Sequence, residues 1–272
     1  EPTAQLVTRN HLVPDGASFV AERVGDQRDF LVSGDEWSRP VQARTGPDGA
    51  LYICDMYRRF IDHARFFPED FAKSHYMRAG FDHGRIWRVV PKGKKPAPVT
   101  ALPTETLALV KELENKNGWQ RTEAQRILVE KQDKAAIPAL KELLAADPAP
   151  TTAAHAMWTL AGLDALDAGT LKTIFEKATD PGLLENAVLA VHATEQGAAL
   201  LETVSAAMKK DAPRMRFLAI GLLTDLTLTP GQLAALVVDS PEDEWLRKAI
   251  FASAPDLAPT ILLGLIENKN FA

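Results

Sequence analysis

The sequence predicts an α+β multidomain protein, in which a β-rich N-terminal part precedes an all-α series of helical repeats. Short β-prone runs separated by turn residues occupy residues 1–90, whereas helix-forming segments occupy residues 104–272. Residues 91–103 lie between them and are rich in Pro and Lys. Because Pro lacks a backbone N–H, this stretch forms neither a regular helix nor a central strand and is predicted to be a semi-rigid linker.

Six β-prone runs are predicted to form strands, at residues 6–8, 19–24, 29–32, 41–45, 50–54 and 84–90. Pro14-Asp15-Gly16 is predicted to be a turn ahead of the second run. In Gly46-Pro47-Asp48-Gly49, Pro stands at the second turn position and Gly at the fourth, which favours a type I turn. The flanking runs therefore predict an antiparallel hairpin, in which Asp48 bonds its own turn backbone.

Residues 56–83 form an insert between the last two predicted strands. Three of the six histidines lie in it, interleaved with Arg and aromatic residues. A connection of this length is either functional or disordered. The aromatic content favours an ordered insert with one short helix near residues 68–74.

Several side chains of the β-rich part are predicted to be structural. Ile86 and Val90 alternate with their neighbours along the last strand, which is typical of a half-buried strand. Cys54 is predicted to be a small buried hydrophobe, and as the only cysteine it excludes an internal disulfide or a multi-cysteine metal site. The five tryptophans are predicted to be core anchors: Trp37, Trp87, Trp119, Trp158 and Trp245.

The second part predicts helices at residues 104–116, 119–131, 134–146, 151–162, 169–178, 182–193, 198–210, 213–226, 231–238, 242–254 and 257–267. Counterpart segments begin at Ala124, Ala156, Ala187, Ala219 and Ala249, spaced by 32, 31, 32 and 30 residues. A repeat of this length holds two helices that bury their apolar faces by stacking. Arg121-x-x-Ala124 and Arg216-x-x-Ala219 resemble the core of HEAT second helices, so a short, HEAT-like solenoid is predicted.

The charge distribution excludes one class of partner. Residues 1–98 carry a net charge of +2 and residues 99–272 a net charge of −7. An acidic repeat array argues against nucleic-acid binding, which uses a basic stripe. The sequence predicts no membrane span, because no apolar run reaches about 18 residues, and no signal peptide is visible at the N-terminus.

Three stretches together resemble one family. They are Asp35-Glu-Trp-Ser-Arg-Pro-Val41, Gly46-Pro-Asp-Gly-Ala-Leu-Tyr-Ile-Cys-Asp-Met-Tyr-Arg58 and Gly84-Arg-Ile-Trp-Arg-Val-Val-Pro-Lys-Gly93. With the repeats that follow, they resemble the end of the β-propeller in the membrane-bound dehydrogenase family of planctomycetes and verrucomicrobia. The propellers of that family look related to those of glucose and sorbosone dehydrogenases, and HEAT-like repeats typically follow them.

The resemblance implies an architecture and a setting. Residues 1–90 would form the C-terminal blades of a β-propeller, and residues 104–272 the HEAT-like repeats of an extracytoplasmic or periplasmic protein. Two blades do not close a propeller of four to eight, so we expect a C-terminal fragment whose β edge meets the rest of the propeller or another chain. The family's Cys-x-x-Cys-His haem signature is missing from this sequence. Haem c is therefore implied only for a further domain, and a quinone or calcium only for the full propeller.

The resemblance also suggests site residues. His63 and Asp55 are candidate catalytic residues, and Arg58, Tyr57, Trp37 and Arg39 are candidate substrate-binding residues. A neutral His63 imidazole would take a proton from an alcohol. Structural roles stay open beside these, since Asp55 could cap a turn and Arg58 could pair with Asp55 or Asp62. No metal ligands are predicted, because His75 and His83 lack the spacing of a metal pair.

Two functions fit these observations. The first is the C-terminal part of a periplasmic dehydrogenase-like protein that acts on sugars or alcohols, with repeats that support the propeller or dock an electron-acceptor protein. This fragment alone is expected to be inactive. The second is a non-catalytic scaffold that binds a protein or a polysaccharide.

Overall fold

The computed structural model describes residues 1–25, 28–95, 97–194, 197–208, 213–226 and 228–268. Within them the strands are β1 (Leu6–Val7), β2 (Asn10–Asp15), β3 (Ser18–Arg23), β4 (Leu31–Val32), β5 (Pro40–Thr45), β6 (Leu51–Asp55) and β7 (Arg85–Val89). They form the small sheets β1-β4, β2-β3 and β5-β6-β7. The chain is thus an α+β protein with small antiparallel sheets near its N-terminus and helices after them.

The predicted hairpin is confirmed as β5 and β6, which pair in antiparallel fashion from Thr45 opposite Leu51. The Gly49 N–H donates to the Gly46 carbonyl at 2.9 Å, closing the turn. Asp48 accepts the Ala50 N–H at 3.1 Å, as predicted for a turn residue. Gly46 has no room for a side chain, because a Cβ there would lie 2.2 Å from the Tyr52 ring.

The β2–β3 hairpin was missed by the sequence reasoning. Residues Asn10–Asp15 form a strand, and the tight connection is Gly16-Ala17 rather than Pro14–Gly16. The run Asn10–Asp15 lacks the alternation of apolar and polar residues that marks a half-buried strand, and its side chains are almost all exposed. Pro is tolerated because β2 is an edge strand of a two-stranded sheet.

Burial in the third sheet differs from the prediction. Ile53 at its centre is buried, but Ile86 is 68% exposed and Val90 is also exposed, so the predicted half-burial of these two residues is wrong. Cys54 is half-buried rather than buried. None of the five tryptophans is a buried core anchor: Trp87 and Trp245 are exposed, and Trp37, Trp119 and Trp158 are half-buried.

The helices are α1 (Glu69–Ser74), α2 (Thr106–Glu112), α3 (Gly118–Glu130), α4 (Ile137–Ala145), α5 (Pro150–Gly162), α6 (Ala168–Lys177), α7 (Pro181–Ala193), α8 (Gly197–Met208), α9 (Pro213–Leu226), α10 (Pro230–Asp239), α11 (Glu244–Ser253) and α12 (Ala258–Glu267). Each of the eleven helices predicted after residue 103 is confirmed by one of α2–α12, and the short helix near residues 68–74 by α1. Residues 209–210 of one predicted helix lie outside the described part.

Capping residues set several helix starts. Asp167, Asp180 and Asp243 each accept a backbone N–H from the first turn of α6, α7 and α11. Thr229 and Gln232 form a capping box at the start of α10. A capped first turn satisfies backbone donors that have no partner inside the helix, so these short helices begin at defined residues.

The helices pack in two series. One series of contacts runs through α5, α7, α9 and α11, and the other pairs α6 with α8 and α10 with α12. Helices of the second series bury apolar residues that are four positions apart in the sequence, such as Leu171 and Phe175 of α6 or Leu233 and Val237 of α10. Residues four apart lie on one face of a helix, so each helix presents one apolar stripe to its neighbours.

Contacts divide the chain into two compact units. The first comprises residues 1–13, 21–102 and 116–120, and the second comprises residues 14–20, 103–115 and 121–272. Within the second unit, the carbonyl of the buried Ala17 accepts a hydrogen bond from Arg214 at 3.0 Å. The domain boundaries at residues 90 and 104 stay predictions.

Candidate functional site

The carboxylate of Asp55, at the end of β6, is the centre of a buried hydrogen-bond cluster. Asp55 is only 2% exposed. Its Oδ1 accepts the backbone N–H groups of Arg39 (2.7 Å) and Tyr57 (3.1 Å), and its Oδ2 accepts from Ser38 Oγ (3.0 Å), Arg85 Nε (2.9 Å) and Trp87 Nε1 (3.1 Å). The two oxygens are fully engaged by these donors, so Asp55 serves as an anchor for the surrounding chain.

Burial by itself would raise the pKa of Asp55. The hydrogen bonds from the Arg39 backbone, Trp87, Arg85 and Ser38 outweigh that effect and lower the pKa to about 2. A carboxylate with so low a pKa is a weak proton acceptor near neutral pH. The environment of Asp55 therefore favours charge stabilisation over general-base catalysis.

Arg85 bonds both the buried Asp55 and the partly exposed Asp35, and so links the buried carboxylate to the surface. Its Nη2 donates to Asp35 Oδ2 at 3.0 Å, and Asp35 Oδ1 in turn accepts the Trp37 N–H at 3.0 Å. The hydrogen bond from the Trp37 backbone and the bond from Arg85 lower the pKa of Asp35. Both Arg85 and Asp35 are about one-third exposed, so an ionised donor and an ionised acceptor stand side by side at the surface.

Aromatic rings surround this ion pair. The Arg85 guanidinium lies 4.3 Å from the ring centre of Tyr57 and 4.8 Å from that of Trp87. Trp37 packs beside Tyr57, with ring centres 6.0 Å apart. We refer to Asp35, Trp37, Asp55, Tyr57, Arg85 and Trp87 as the Asp55 cluster. Trp87 is 46% exposed, which leaves part of an aromatic surface open next to the ion pair.

Arg39 lies beneath the surface and not in a cleft. Its Nε and Nη2 donate to the carbonyls of Arg58 and Arg59, both at 2.9 Å, and its Nη1 donates to the Pro2 carbonyl at 3.1 Å. With 8% exposure and donors already engaged, this guanidinium joins the N-terminus to the start of the insert. A direct substrate contact is not supported by this position.

Arg58 is also engaged by backbone groups. Its Nη1 donates to the carbonyls of Met56, Tyr57 and Gly80, the last at 2.8 Å. The alternative of an ion pair with Asp55 or Asp62 is not what the structure shows. Tyr57 has a positive φ of 53°, a strained conformation for a residue with a side chain. The Tyr57 N–H donates to Asp55, and the Tyr57 carbonyl accepts from Arg58. These two hydrogen bonds hold Tyr57 in this conformation.

His63 lies apart from the Asp55 cluster. It is exposed and precedes a 3₁₀ turn at Ala64–Phe66, where its Nδ1 accepts the Arg65 N–H at 3.1 Å. The other two histidines of the insert also have local contacts: the His75 ring stacks on Phe71 at 4.0 Å, and His83 pairs with Asp82 at 2.7 Å. Of the predicted site residues, the structure brings together Asp55, Tyr57, Trp37, Arg39 and Arg58, but not His63.

The insert folds around Phe60. The rings of Phe67, Phe71 and His75 each pack against it at between 5.7 and 5.9 Å. Aromatic pairs at such distances are favourable beyond the area they bury. These rings form one aromatic cluster within the insert.

Gly80 is expected to be intolerant of a side chain. Its φ is +90°, and an added Cβ would lie 2.8 Å from the Tyr57 carbonyl oxygen. Gly80→Ala should therefore lower the free energy of unfolding by about 2 kcal/mol or more, from backbone strain plus the clash. Urea unfolding followed by tryptophan fluorescence measures this change.

The control for this prediction is Gly93→Ala. Gly93 has a φ of +79°, but nothing lies within 4 Å of an added Cβ. Only the backbone strain of about 1 kcal/mol is expected there. Equal losses in the two variants would show that the contact with Tyr57 does not matter.

Three residues of the Asp55 cluster were missed from the sequence: Asp35, Arg85 and Trp87. The signal that could have found them is strand register. Asp55 lies opposite Arg85 in the β6–β7 pair, and Ile53 lies opposite Trp87. Because side chains alternate along a strand, Arg85 and Trp87 point to the same face as Asp55. Because the long insert separates the two strands in the sequence, their register was not evident from it.

No group of three His, Cys, Asp or Glu side chains is arranged to hold a metal ion in the part of the chain that the structure describes. In the same residues, no single helix is long and apolar enough to cross a membrane. The bent pair Glu244–Ser253 and Pro255–Glu267, which meets at 98°, passes that test of length and composition when taken together.

Comparison with known proteins finds a family match for the N-terminal part of the chain. Residues 1–93, which include all seven strands, are similar to a family described as a domain of unknown function (DUF7133). No curated protein matches the chain. No solved structure matches it either.

Proposed function

We propose that this chain is the binding and supporting part of a dehydrogenase-like protein that acts on sugars or alcohols outside the cytoplasm. In this proposal the chain holds a carbohydrate at the Asp55 cluster and transfers no proton itself. The observation that carries it is the partly exposed Asp35–Arg85 pair, in which Arg85 also bonds the buried Asp55 and lies beside aromatic rings.

The chemistry of the Asp55 cluster suits a polyhydroxy ligand. Arg85 supplies N–H donors and Asp35 supplies carboxylate acceptors next to one another, which matches the paired hydroxyls of a sugar ring. Trp87 offers an exposed apolar ring for the C–H face of the sugar. Since buried Asp55 fixes Arg85 in place, little ordering is needed on binding.

In this proposal the third sheet is an incomplete propeller blade. Propeller blades have four strands and are repeated around a central axis, whereas the β5-β6-β7 sheet has three. Ile86 projects from the face opposite Trp87 and is exposed. We infer that this face and the free edge of β7 meet the remainder of a propeller or another chain.

A repeat architecture is supported by hydrogen bonds between successive helices. Gln125 bonds His155, Asn186 bonds Trp158, Glu185 bonds Arg214 and Asp243 bonds Arg216, over separations of 27 to 30 residues. The recurrence of one separation along the chain is what stacked two-helix units produce. We therefore propose a HEAT-like solenoid that supports the β-rich part or docks an electron-acceptor protein.

The residues present do not fit haem c or calcium, two of the cofactors that the resemblance implies. One cysteine cannot provide a Cys-x-x-Cys-His haem attachment. The carboxylates of Asp35, Asp48 and Asp55 are paired with arginines, which compete with a bound calcium ion. Haem c or calcium would therefore be held by other parts of a dehydrogenase-like protein.

Titration of the chain with mono- and oligosaccharides, followed by tryptophan fluorescence and calorimetry, tests the proposal. We expect saturable binding that is weakened about tenfold or more in Trp87→Ala, because that ring contributes the apolar contact. Trp245→Ala is the matched control, since Trp245 is a similarly exposed tryptophan in the second unit. It should leave binding unchanged.

Three results would contradict the proposal. The first is an absence of binding to any sugar tested, and the second is equal weakening by both tryptophan variants. The third is reduction of a redox dye by this chain in the presence of a sugar, lost in His63→Ala. That result would return the catalytic role to His63.

A further inference from the structure

A fourth planar side chain, His83, adjoins the stack of planar groups in the Asp55 cluster. The Arg85 guanidinium lies between the rings of Trp87 and Tyr57, at 4.8 and 4.3 Å from their centres. The Tyr57 ring in turn contacts the His83 ring, with centres 5.9 Å apart. We refer to His83, Tyr57, Arg85 and Trp87 as the planar row.

The planar row is open at both ends. The His83 side chain is 66% exposed, and Trp87 at the other end is 46% exposed. His83 is four positions before Trp87, and four residues of extended chain span about 13 Å. The planar row is therefore longer than a single sugar ring.

Hydrogen-bonding groups accompany the rings at each end. Beside Trp87 these are Arg85 and Asp35, which bond one another at 3.0 Å. Beside Tyr57, the His83 ring bonds Asp82 at 2.7 Å, and that carboxylate is also exposed. Each end thus combines a flat ring with a donor and an acceptor, which is the combination that suits the apolar face and the hydroxyls of one sugar ring.

We propose that His83 and Asp82 form a second sugar subsite, so that the ligand of the Asp55 cluster is a neutral oligosaccharide of at least two hexose units. This inference rests on the proposed function, because it extends the same surface. A ligand that contacts both ends pays the entropy of association once and gains two sets of contacts.

The ion pairs favour a neutral sugar chain over an acidic one. Arg85 is already paired with Asp35 and Asp55, so a sugar carboxylate would have to displace Asp35. At the other end, the exposed Asp82 would repel it. The charge of Arg58 also acts on Asp82, but its Nη1 is engaged by backbone carbonyls. Hydroxyl groups can accept from Arg85 and donate to Asp35 without breaking their pair.

Calorimetric titration of the full chain with glucose, cellobiose, cellotriose, maltose and maltotriose tests this inference. In one of the two series we expect the trisaccharide to bind about tenfold more tightly than glucose. His83→Ala should bring the ratio of these two affinities close to one, whereas His83→Phe should keep it, because a flat ring remains. His11→Ala is the matched control, since His11 is exposed on β2 in another sheet. It should keep the ratio of the unaltered chain.

A ratio near one in both series overturns this inference alone, provided that glucose binds and that Trp87→Ala weakens its binding. So does an equal ratio in His83→Ala and His11→Ala, or binding of trigalacturonate as tight as that of the neutral trisaccharides. An absence of binding to every sugar overturns the proposed function as well. Far-UV circular dichroism checks that the variants fold, which we expect because the exposed His83–Asp82 pair adds little stability.

Discussion

Asp55→Asn is expected to lower the free energy of unfolding by about 3 kcal/mol. The carboxylate accepts five hydrogen bonds in a buried position, and an asparagine amide would turn its NH₂ group towards some of those donors. Removal of one member of a buried ion pair typically costs about 3–5 kcal/mol. We expect a loss at the low end of this range, because Arg85 still pairs with Asp35 in the variant. Urea unfolding measures the loss.

The matched control for Asp55→Asn is Asp35→Asn, at the exposed end of the same network. Asp35 is 38% exposed, so its ion pair is screened by water and its loss should cost less than about 1 kcal/mol. Equal losses in both variants would show that burial of Asp55 does not control the strength of the network.

The free energy of unfolding should also depend on pH, because the pKa of Asp55 is lower in the folded chain than in the unfolded one. Its pKa falls from an ordinary value of 3.8 to about 2 on folding. A lowered pKa stabilises the folded state above the unfolded value, and this contribution of about 2 kcal/mol is lost as the pH falls through the folded pKa. In unfolding curves from pH 5 to about pH 2, Asp55→Asn should lose this part of the acid dependence.

Arg39→Ala is the second change with a large expected effect. The guanidinium of Arg39, which is 8% exposed, donates hydrogen bonds to the carbonyls of Arg58, Arg59 and Pro2, and a hydrogen bond that involves a charged group contributes about 1.5–3 kcal/mol. A total loss of about 3 kcal/mol or more is expected. Hydrogen exchange should show faster exchange at the Arg59 amide, which bonds the Ala79 carbonyl inside the insert.

Two variants accompany Arg39→Ala. Arg39→Lys keeps the charge but lacks the planar fork that reaches several carbonyls, so it should recover only part of the stability. Arg44→Ala, at an exposed position of β5, should change stability by no more than about 0.5 kcal/mol. If Arg39→Lys were as stable as the unaltered chain, charge rather than geometry would explain the role of Arg39.

The structural roles of Arg39 and Arg58 change how variants of the candidate site should be interpreted. Loss of function in variants of Arg39 or Arg58 would reflect the position of the insert, because both side chains bond backbone carbonyls. Variants of Asp35 or Trp87 would report on a ligand more directly, because both residues are partly exposed. Binding and stability therefore have to be measured together for every variant of the Asp55 cluster.

The local features of the fold could be predicted from the sequence. Helices α2–α12 follow from apolar periodicity and capping residues such as Asp180 and Thr229. The β5–β6 hairpin follows from a turn of Gly, Pro and Asp. The hairpin of β2 and β3 does not, because its polar strand lacks the alternation that burial imposes on a sequence.

The candidate site could be predicted only in part. Asp55 and Tyr57 stand two positions apart in the sequence, and their contact and that of Tyr57 with Trp37 are seen in the structure. His63, eight positions after Asp55, is directed by its own 3₁₀ turn to the surface. Arg85 lies 30 residues after Asp55, yet its Nε bonds that carboxylate directly.

The sequence by itself determined helices α1–α12, the turn at Gly46–Gly49 and the acidic character of the helical part. These depend on interactions between residues a few positions apart, or on composition alone. Only the tertiary structure decided that Asp55, Arg85 and Trp87 form one cluster and that Arg39 is buried among carbonyls. Strand register and burial depend on contacts between distant segments, and short-range patterns do not encode which distant segments meet.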